Sequence, residues 1–200
     1  MTWALVLGGA KCVFEDAEKA IQLLGEPDVV VAVKDIWIEW PKVDHVATYH
    51  IERIPRELER RRSLGYEDPK CIWTYVHIRQ LKMPLPQKCI KMTGGSSGLL
   101  GAYVAIRVAD KGVLAGIPLD PTMPHFHNRK QGKPWKEGEH YMKQWRQCLP
   151  DLKDRIKSMS GYTKELLGEP TVEWLQSDVP KYTPRSMASY RAPSYKNYSV

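Results

Sequence analysis

The chain has 200 residues, with 42% hydrophobic residues, 26% charged residues and a formal net charge of +7 at pH 7. This length fits one compact domain with or without a tail, and the composition excludes wholesale disorder and fibrous repeats. No apolar run reaches the ~18 to 20 residues that a membrane span requires. The four cysteines form no CxxC pair, which argues against a zinc ribbon or a disulfide framework. We therefore expect a soluble, cytoplasmic protein with buried free thiols.

The positive charge is spread along the chain. Residues 176–200 contain four basic residues against Asp178, a net +3, which leaves +4 for residues 1–175. This modest excess favours an anionic small ligand and disfavours nucleic acid, whose binding proteins cluster their charge more strongly. The basic run at residues 60–62 is interpreted as a solvated helix end rather than a binding patch.

Strand and helix signals alternate along the sequence. The clearest are the apolar run at residues 3–7, the amphipathic helix that ends before Gly25, and the β-branched run VVVAV at residues 29–33. Residues 78–92 are broken by prolines and are expected to be irregular. The predicted strands are 3–7, 29–33, 44–49, 71–76, a fifth beginning at 113, and an edge strand at 155–160. The predicted helices are 13–24, 55–64, 99–112, 135–149 and 162–168.

This order predicts an α/β fold, a Rossmann-like parallel sheet with helices on both faces. Residues 1–175 form the predicted domain, and residues 176–200 form a flexible, basic tail rich in proline, serine and tyrosine. In such sheets ligands bind at the carboxyl ends of the strands, so the loops after the strands are the places to search for a site.

The strongest local signal is the segment TGGSSG, residues 93–98, just before an apolar helix. Glycines permit close approach of the backbone, and free amides at a helix start bind phosphate or carboxylate. The alternative is that Ser96 or Ser97 only caps the helix. The segment lacks the GK[ST] ending of a Walker A loop. The predicted ligand-binding residues of this segment are Thr93, Gly94, Gly95, Ser96 and Ser97.

A second glycine turn follows the first strand. Gly8 and Gly9 allow a close approach to a ligand and Lys11 offers a cation for phosphate, although a plain strand-to-helix turn explains the three residues equally well. Asp35 follows the second strand, where an acidic side chain can bind a ribose hydroxyl or cap a helix. Trp40 is one of the tryptophans that could stack on a base or sugar, although core packing is the default for each of them.

The loop at residues 118–130 gathers charged and titratable side chains. We predict that it contacts an anion or a base, since one carboxylate and two histidines without cysteine do not make a closed metal site. In an enzyme, Asp120 or His125 would be the general base, and no other catalytic residue is predicted. The predicted ligand-binding residues of the loop are Asp120, His125, His127 and Arg129.

Several segments resemble uncharacterised Rossmann-like proteins of bacteriophages and prophages. They are LVLGGAKCVFEDAE, VVVAVKDI, TGGSSGLLGAYVAIRVADKGVLAGIPLD, HFH and RIKSMSGYTKELLG. The stretch from GSSG through the helix and strand to GIPLD is also similar to sialyltransferase-like and related glycosyltransferase-like nucleotide-binding domains. The resemblance implies a parallel α/β fold, a phage setting and a host-cell cytoplasmic location, but no defined chemistry.

Three functions remain open on these residues. The first is a protein that captures a phosphorylated nucleotide in a basic pocket, which in a phage would sequester a host immune signalling nucleotide. The alternative is a glycosyltransferase-like enzyme that uses a nucleotide-linked sugar. The third is a virion or assembly component whose tail binds a partner. We expect no cofactor, no metal and no membrane partner; a homo-oligomer is compatible with all three functions.

Overall fold

The computed structural model describes residues 1–75, 85–90, 95–127, 138–180 and 182. The strands are β1 (Trp3–Leu7), β2 (Val29–Val33), β3 (His45–Ala47), β4 (Cys71–Tyr75), β5 (Gln87–Ile90), β6 (Lys111–Ala115) and β7 (Ile156–Ser158). The helices are α1 (Val13–Leu24), α2 (Ile36–Glu39), α3 (Ile54–Ser63), α4 (Ser97–Val108), α5 (Gly138–Leu152), α6 (Gly161–Leu167) and α7 (Val172–Gln176). A short 3-10 helix covers Ile51–Arg53.

The described strands form one sheet of seven in the order β5-β4-β3-β2-β1-β6-β7, and every pairing is parallel. The chain moves outward from β1 to β5 and then returns through α4 to the other side of β1 as β6. The direction of winding therefore reverses between β1 and β6. A crevice at such a switch point is where open α/β sheets bind ligands.

Helices cover both faces of the sheet. Val6 and Val33 point toward α4, and α4 lies so close that a Cβ added at Gly101 would be 2.5 Å from Val33 Cγ1. Leu5 and Leu7 point to the opposite face, where they pack with α1, α2 and α3. The period-two alternation of a strand thus separates two apolar layers.

The predicted α/β Rossmann-like fold is confirmed, with differences at the sheet edge. Residues 87–90 form the edge strand β5, so the expectation that residues 78–92 are irregular is wrong for them. The strand predicted as the fifth is β6 and begins at Lys111. Helix α7 had no sequence prediction. The predicted tail lies mostly outside the described residues.

The basic run at the end of α3 is not a uniformly solvated helix end. Arg61 is fully buried and donates hydrogen bonds to the backbone oxygens of Trp40 and Pro41, both at 2.7 Å, and to those of Glu67 and Trp37. It is a structural residue because it satisfies carbonyl groups that the turn after α2 leaves without helical partners. Its neighbours form exposed ion pairs, Arg60 with Glu39 at 2.6 Å and Arg62 with Asp68 at 2.5 Å.

The cysteines are free, as expected, but they are not all buried. Cys71 is buried, Cys12 and Cys148 are half-buried, and Cys89 on the edge strand is exposed. No described helix has the length and apolar character that a membrane crossing requires.

Candidate functional site

The loop that carries the two histidines is paired to the glycine turn after β1. Lys11 donates its backbone N–H to Pro124 O at 2.8 Å, and Phe126 donates its own to Gly9 O at 3.1 Å. His125 and Ala10 form an isolated antiparallel bridge between these bonds. A Cβ at Gly9 would lie 2.7 Å from His125 Nε2, so only glycine leaves room for the ring. The turn therefore positions the histidine loop.

Asp35 meets both histidines at the carboxyl end of β2. The turn after β2 depends on Lys34, which adopts a left-handed backbone conformation with φ of 57°. Asp35 Oδ1 lies 3.2 Å from His125 Nε2, and its Oδ2 lies 3.4 Å from His127 Nε2. We call Asp35, His125 and His127 the Asp–His cluster. It unites Asp35 with two histidines that the sequence analysis assigned to a different loop.

The hydrogen bonds of the cluster assign different roles to its two histidines. His127 donates its backbone N–H to His125 Nδ1 at 3.3 Å, which requires a lone pair on that nitrogen. The proton of a neutral His125 ring is then on Nε2, which faces Asp35 Oδ1. Both nitrogens of His125 are thus occupied. His127 uses Nε2 toward Asp35, and its Nδ1 accepts no hydrogen bond from the described part of the chain.

The electrostatics of the cluster keep Asp35 ionised. Burial alone would raise the pKa of Asp35, but the hydrogen bond from His125 and the neighbouring imidazoles outweigh burial and hold this pKa at about 2. A carboxylate that accepts hydrogen bonds from an imidazole fixes its tautomer and stabilises its protonated form. The arrangement suits proton transfer through a histidine.

Among the described residues, these three side chains are also close enough together to be considered as ligands of one metal ion. Their nearest ligand atoms all lie within 4.8 Å of one another. A histidine that binds a metal through Nε2 normally donates its Nδ1–H to an acceptor, whereas Nδ1 of His125 faces a donor. The three side chains therefore fit a metal ion poorly as ligands. That no metal binds here stays a prediction.

The serine segment before α4 is used for capping in the described residues. Ser96 Oγ accepts hydrogen bonds from Leu99 N at 3.3 Å and from Trp145 Nε1 at 3.2 Å. Gly95 has φ of 130° and packs against Leu99, and Ser97 is buried in the first helical turn. The capping alternative thus accounts for Ser96. Its predicted companions Thr93 and Gly94 lie outside the described residues.

The crevice between β1 and β6 is closed by a carboxylate that the sequence analysis missed. Asp16, buried in the first turn of α1, accepts hydrogen bonds from Gly116 N at 2.9 Å and from Ser160 Oγ at 2.6 Å. A Cβ at Gly8 would collide with the Gly116 carbonyl. The two strands therefore end in closely packed glycine turns tied to α1. Gly116 and its hydrogen bond to Asp16 belong to no sequence motif, so no sequence signal indicates this contact.

The remaining predicted residues are not members of the Asp–His cluster, and one of them is outside the described residues. Lys11 has an exposed side chain at the turn after β1. Asp120 accepts hydrogen bonds from Thr122 Oγ1 at 2.7 Å and Thr122 N at 2.8 Å, and these bonds lower its pKa. Asp120 therefore stabilises its own turn. Arg129 is not among the described residues.

Aromatic side chains adjoin the Asp–His cluster. Phe14 stacks on Trp40 with ring centroids 5.9 Å apart, and Phe126 meets Phe14 edge-on at 6.1 Å. We call Phe14, Trp40 and Phe126 the aromatic cluster. Phe126 in turn lies 4.0 Å from His127 and 4.5 Å from His125 between ring centroids. Aromatic and polar side chains are thus continuous along this edge of the sheet.

Comparison with known proteins gives a likeness in structure only. No protein-family model matches the chain, and no curated protein sequence is similar to it. The chain is similar in structure to the sialyltransferase CstII from Campylobacter jejuni, solved in complex with a substrate analogue, CMP-3FNeuAc. The TM-score is 0.54, the sequence identity is 13%, and the match covers 94% of this chain and 97% of that one. The predicted resemblance to glycosyltransferase-like domains is therefore confirmed for the fold.

Proposed function

We propose that the protein binds a nucleotide-linked sugar at the carboxyl edge of its sheet and transfers the sugar to an acceptor hydroxyl. The observation that carries this proposal is the Asp–His cluster, which lies where α/β sheets bind ligands. The fold supports it, because CstII shares the fold over nearly the whole of both chains and was solved with a CMP-linked substrate analogue.

His127 is the proposed general base. Asp35 faces Nε2 of this ring and orients it, which leaves Nδ1 to accept a proton. In the transfer, the O–H bond of the acceptor breaks and its proton goes to His127 Nδ1. The acceptor oxygen forms a bond to the anomeric carbon of the donor sugar. The bond from that carbon to the phosphate oxygen breaks, and the nucleotide leaves with the electron pair.

The geometry favours His127 over the base candidates drawn from the sequence. His125 Nδ1 accepts a hydrogen bond from the backbone N–H of His127, and its Nε2 carries the ring proton and faces Asp35, so neither nitrogen offers a lone pair. The Asp120 carboxylate is hydrogen-bonded within its own turn, and those bonds reduce its basicity. His125 is then a positioning residue that helps to hold Asp35.

The phosphate part of the donor is proposed to bind at the turn after β1. The exposed Lys11 of this turn supplies a cation for a phosphate. The anomeric carbon would then point along the edge of the sheet toward the Asp–His cluster.

The test is donor hydrolysis without an acceptor, followed by chromatography of the released nucleotide for CMP-, UDP- and GDP-linked sugars. We expect hydrolysis of one donor class, slowed about 100-fold or more in His127→Gln because the base is lost. His140→Gln is the matched control, since His140 lies exposed on α5 with Gln144 as its partner, and it should match the wild type.

Two results would contradict the proposal. Equal rates in His127→Gln and the wild type would remove His127 as the base. Binding of a nucleotide that is recovered intact, with no donor hydrolysed, would instead support capture without turnover. That is the function expected of a phage protein that sequesters a signalling nucleotide.

A further inference from the structure

The aromatic cluster contains an exposed ring at a position where a surface helix normally carries a polar side chain. Phe14 lies in the first turn of α1 and is 47% exposed. One face of its ring stacks on Trp40 at an interplanar angle of 22°, and Phe126 closes one side at 84°. Phe14 is therefore held in place by two aromatic neighbours while much of its surface stays open to solvent. A ligand that covered this ring would bury its exposed apolar surface.

The exposed ring is connected to the proposed catalytic base. Phe126 contacts Phe14 on one side and the ring of His127 on the other, with a centroid distance of 4.0 Å to His127. A ligand on Phe14 would thus lie one aromatic ring away from the general base. Lys11, proposed to bind the donor phosphate, lies in the turn after β1, whereas Trp40 follows α2. The two ligands would therefore lie beside each other along the same edge of the sheet.

We propose that Phe14 and Trp40 form a subsite that binds a pyranose ring of a saccharide acceptor. This inference rests on the proposed function and names the class of its second substrate. The C–H groups on one face of a pyranose carry partial positive charge and complement the negative face of an aromatic ring. The hydroxyl groups around the ring edge need polar partners, and one of them would meet His127. A ligand with an apolar face and a reactive hydroxyl edge fits this junction of aromatic and polar side chains.

The experiment measures binding of defined probes to the full chain by saturation-transfer NMR. The probes are methyl β-galactoside, methyl β-glucoside and, separately, CMP, UMP and GMP. We expect at least one glycoside to bind the wild type, and Phe14→Ala to weaken it about fivefold, the size of one aromatic stacking contact. Binding of the nucleotide should change by less than about twofold in the variant, because the variant keeps Lys11 and the turn after β1.

Leu23→Ala is the matched control. Leu23 is 46% exposed on the same helix, near its other end, so its removal changes exposed apolar area without touching the aromatic cluster. It should bind both kinds of probe as the wild type does. Circular dichroism melting would verify that both variants fold.

The outcomes separate this subsite from the proposed function. Absence of glycoside binding by the wild type, or equal loss in Phe14→Ala and Leu23→Ala, would overturn the subsite while leaving nucleotide binding intact. Loss of nucleotide binding in Phe14→Ala, with glycoside binding unchanged, would show that the ring stacks on the base of the donor and would also overturn it. Failure of the wild type to bind any nucleotide would count against the proposed function itself.

Discussion

The two edges of the sheet use charged side chains in different ways. At the amino edge, carboxylates accept hydrogen bonds from backbone N–H groups that begin strands. Asp110 accepts from Thr2, Asp28 from Trp3 and Asp44 from Val30, each at 2.8 Å. Lys111, fully buried at the start of β6, donates to Leu175 O and to Ser177 O and Oγ at the end of α7. These charges replace missing backbone partners and stabilise the fold.

At the carboxyl edge the charges meet other side chains or solvent. Asp35 is paired with the two histidines, and the cationic side chains of Lys11 and Lys34 are exposed. Backbone strain also concentrates here, because Lys34 after β2 and Leu119 after β6 are the described non-glycine residues with positive φ. Strain and side-chain pairs of this kind are typical of binding and catalytic sites.

The difference shows that burial of a charge does not by itself indicate a site. Arg61 and Lys111 are among the most deeply buried charged groups described, and both are fully engaged with backbone carbonyls. Asp35 is less buried, but its partners are titratable and lie beside an open aromatic surface. What a charged group contacts is therefore more informative than how deeply it is buried.

The largest expected effect is a loss of stability when a charged residue of the amino edge is replaced. Lys111→Met keeps the length and apolar stem of the side chain but removes the donor to the end of α7. We expect a loss of about 3 kcal/mol in the free energy of unfolding, measured with urea, because several carbonyl groups lose a charged partner. Nucleotide binding below the unfolding transition should not change. Lys19→Met, which removes an exposed ion pair with Glu15, should leave the free energy of unfolding almost unchanged.

A smaller effect is expected at the carboxyl edge, and it should depend on pH. Because the pKa of folded Asp35 is lowered from 3.8 to about 2, its ionised form stabilises the fold above the unfolded pKa, and this contribution is lost as the pH falls toward 2. Asp35→Asn should therefore be less stable than the wild type by about 2 kcal/mol at pH 7, and the gap should narrow below about pH 4. Urea unfolding at pH 7, 5 and 3 measures it. A gap independent of pH would show that Asp35 is not held ionised by the histidines.

The sequence predicts the central strands of the sheet better than its outermost strand β5. Strands β1 and β2 are continuous apolar runs, and their bounds follow from that pattern. Strand β5 (QKCI) has exposed lysine and cysteine side chains because it lies at the sheet edge, so it shows no apolar run. Periodicity predicts elements, but it does not predict which strands become neighbours.

The candidate site could be predicted in its residue types but not in its assembly. Asp35, His125 and His127 stand out as polar residues after strands, yet 90 residues separate Asp35 from His125. They meet because residues 124–126 pair with the turn at Gly9 through backbone hydrogen bonds. Such bonds do not depend on side-chain type and leave no pattern in the sequence. Phe14 was overlooked because an apolar residue in an amphipathic helix is expected to face the core.

A third prediction tests whether the glycine turn positions the Asp–His cluster. In Gly9→Ala the added Cβ would lie 2.7 Å from His125 Nε2 and would displace the histidine loop. We expect donor hydrolysis to fall about tenfold, equivalent to about 1.4 kcal/mol, with only a small change in melting temperature. Gly138→Ala is the control, because its Cβ would make ordinary contacts with Pro121. Unchanged hydrolysis in Gly9→Ala would show that the loop does not need this turn.

The last prediction concerns a residue of the carboxyl edge whose bonds resemble those of the amino edge. Ser96 Oγ accepts from Leu99 N and from the indole N–H of Trp145, which ties the start of α4 to α5. A hydroxyl with two structural donors is poorly placed to bind a phosphate as well. Ser96→Ala should therefore lower the free energy of unfolding by about 1 kcal/mol, as expected for the loss of an N-cap, and leave nucleotide affinity within about twofold.

Ser63→Ala is the matched control for this prediction. Ser63 Oγ donates to Arg60 O at the exposed end of α3, so its loss should change stability by less than about 0.5 kcal/mol. If Ser96→Ala instead weakened nucleotide binding about tenfold or more while stability held, the TGGSSG segment would be a phosphate-binding loop, as the glycines before α4 suggest. The start of α4 would then bind a ligand through the same hydroxyl that caps the helix, as the other side chains of the carboxyl edge are proposed to do. Stability and affinity measured on the same pair of variants distinguish these two roles, because a cap acts on folding and a ligand contact acts on binding.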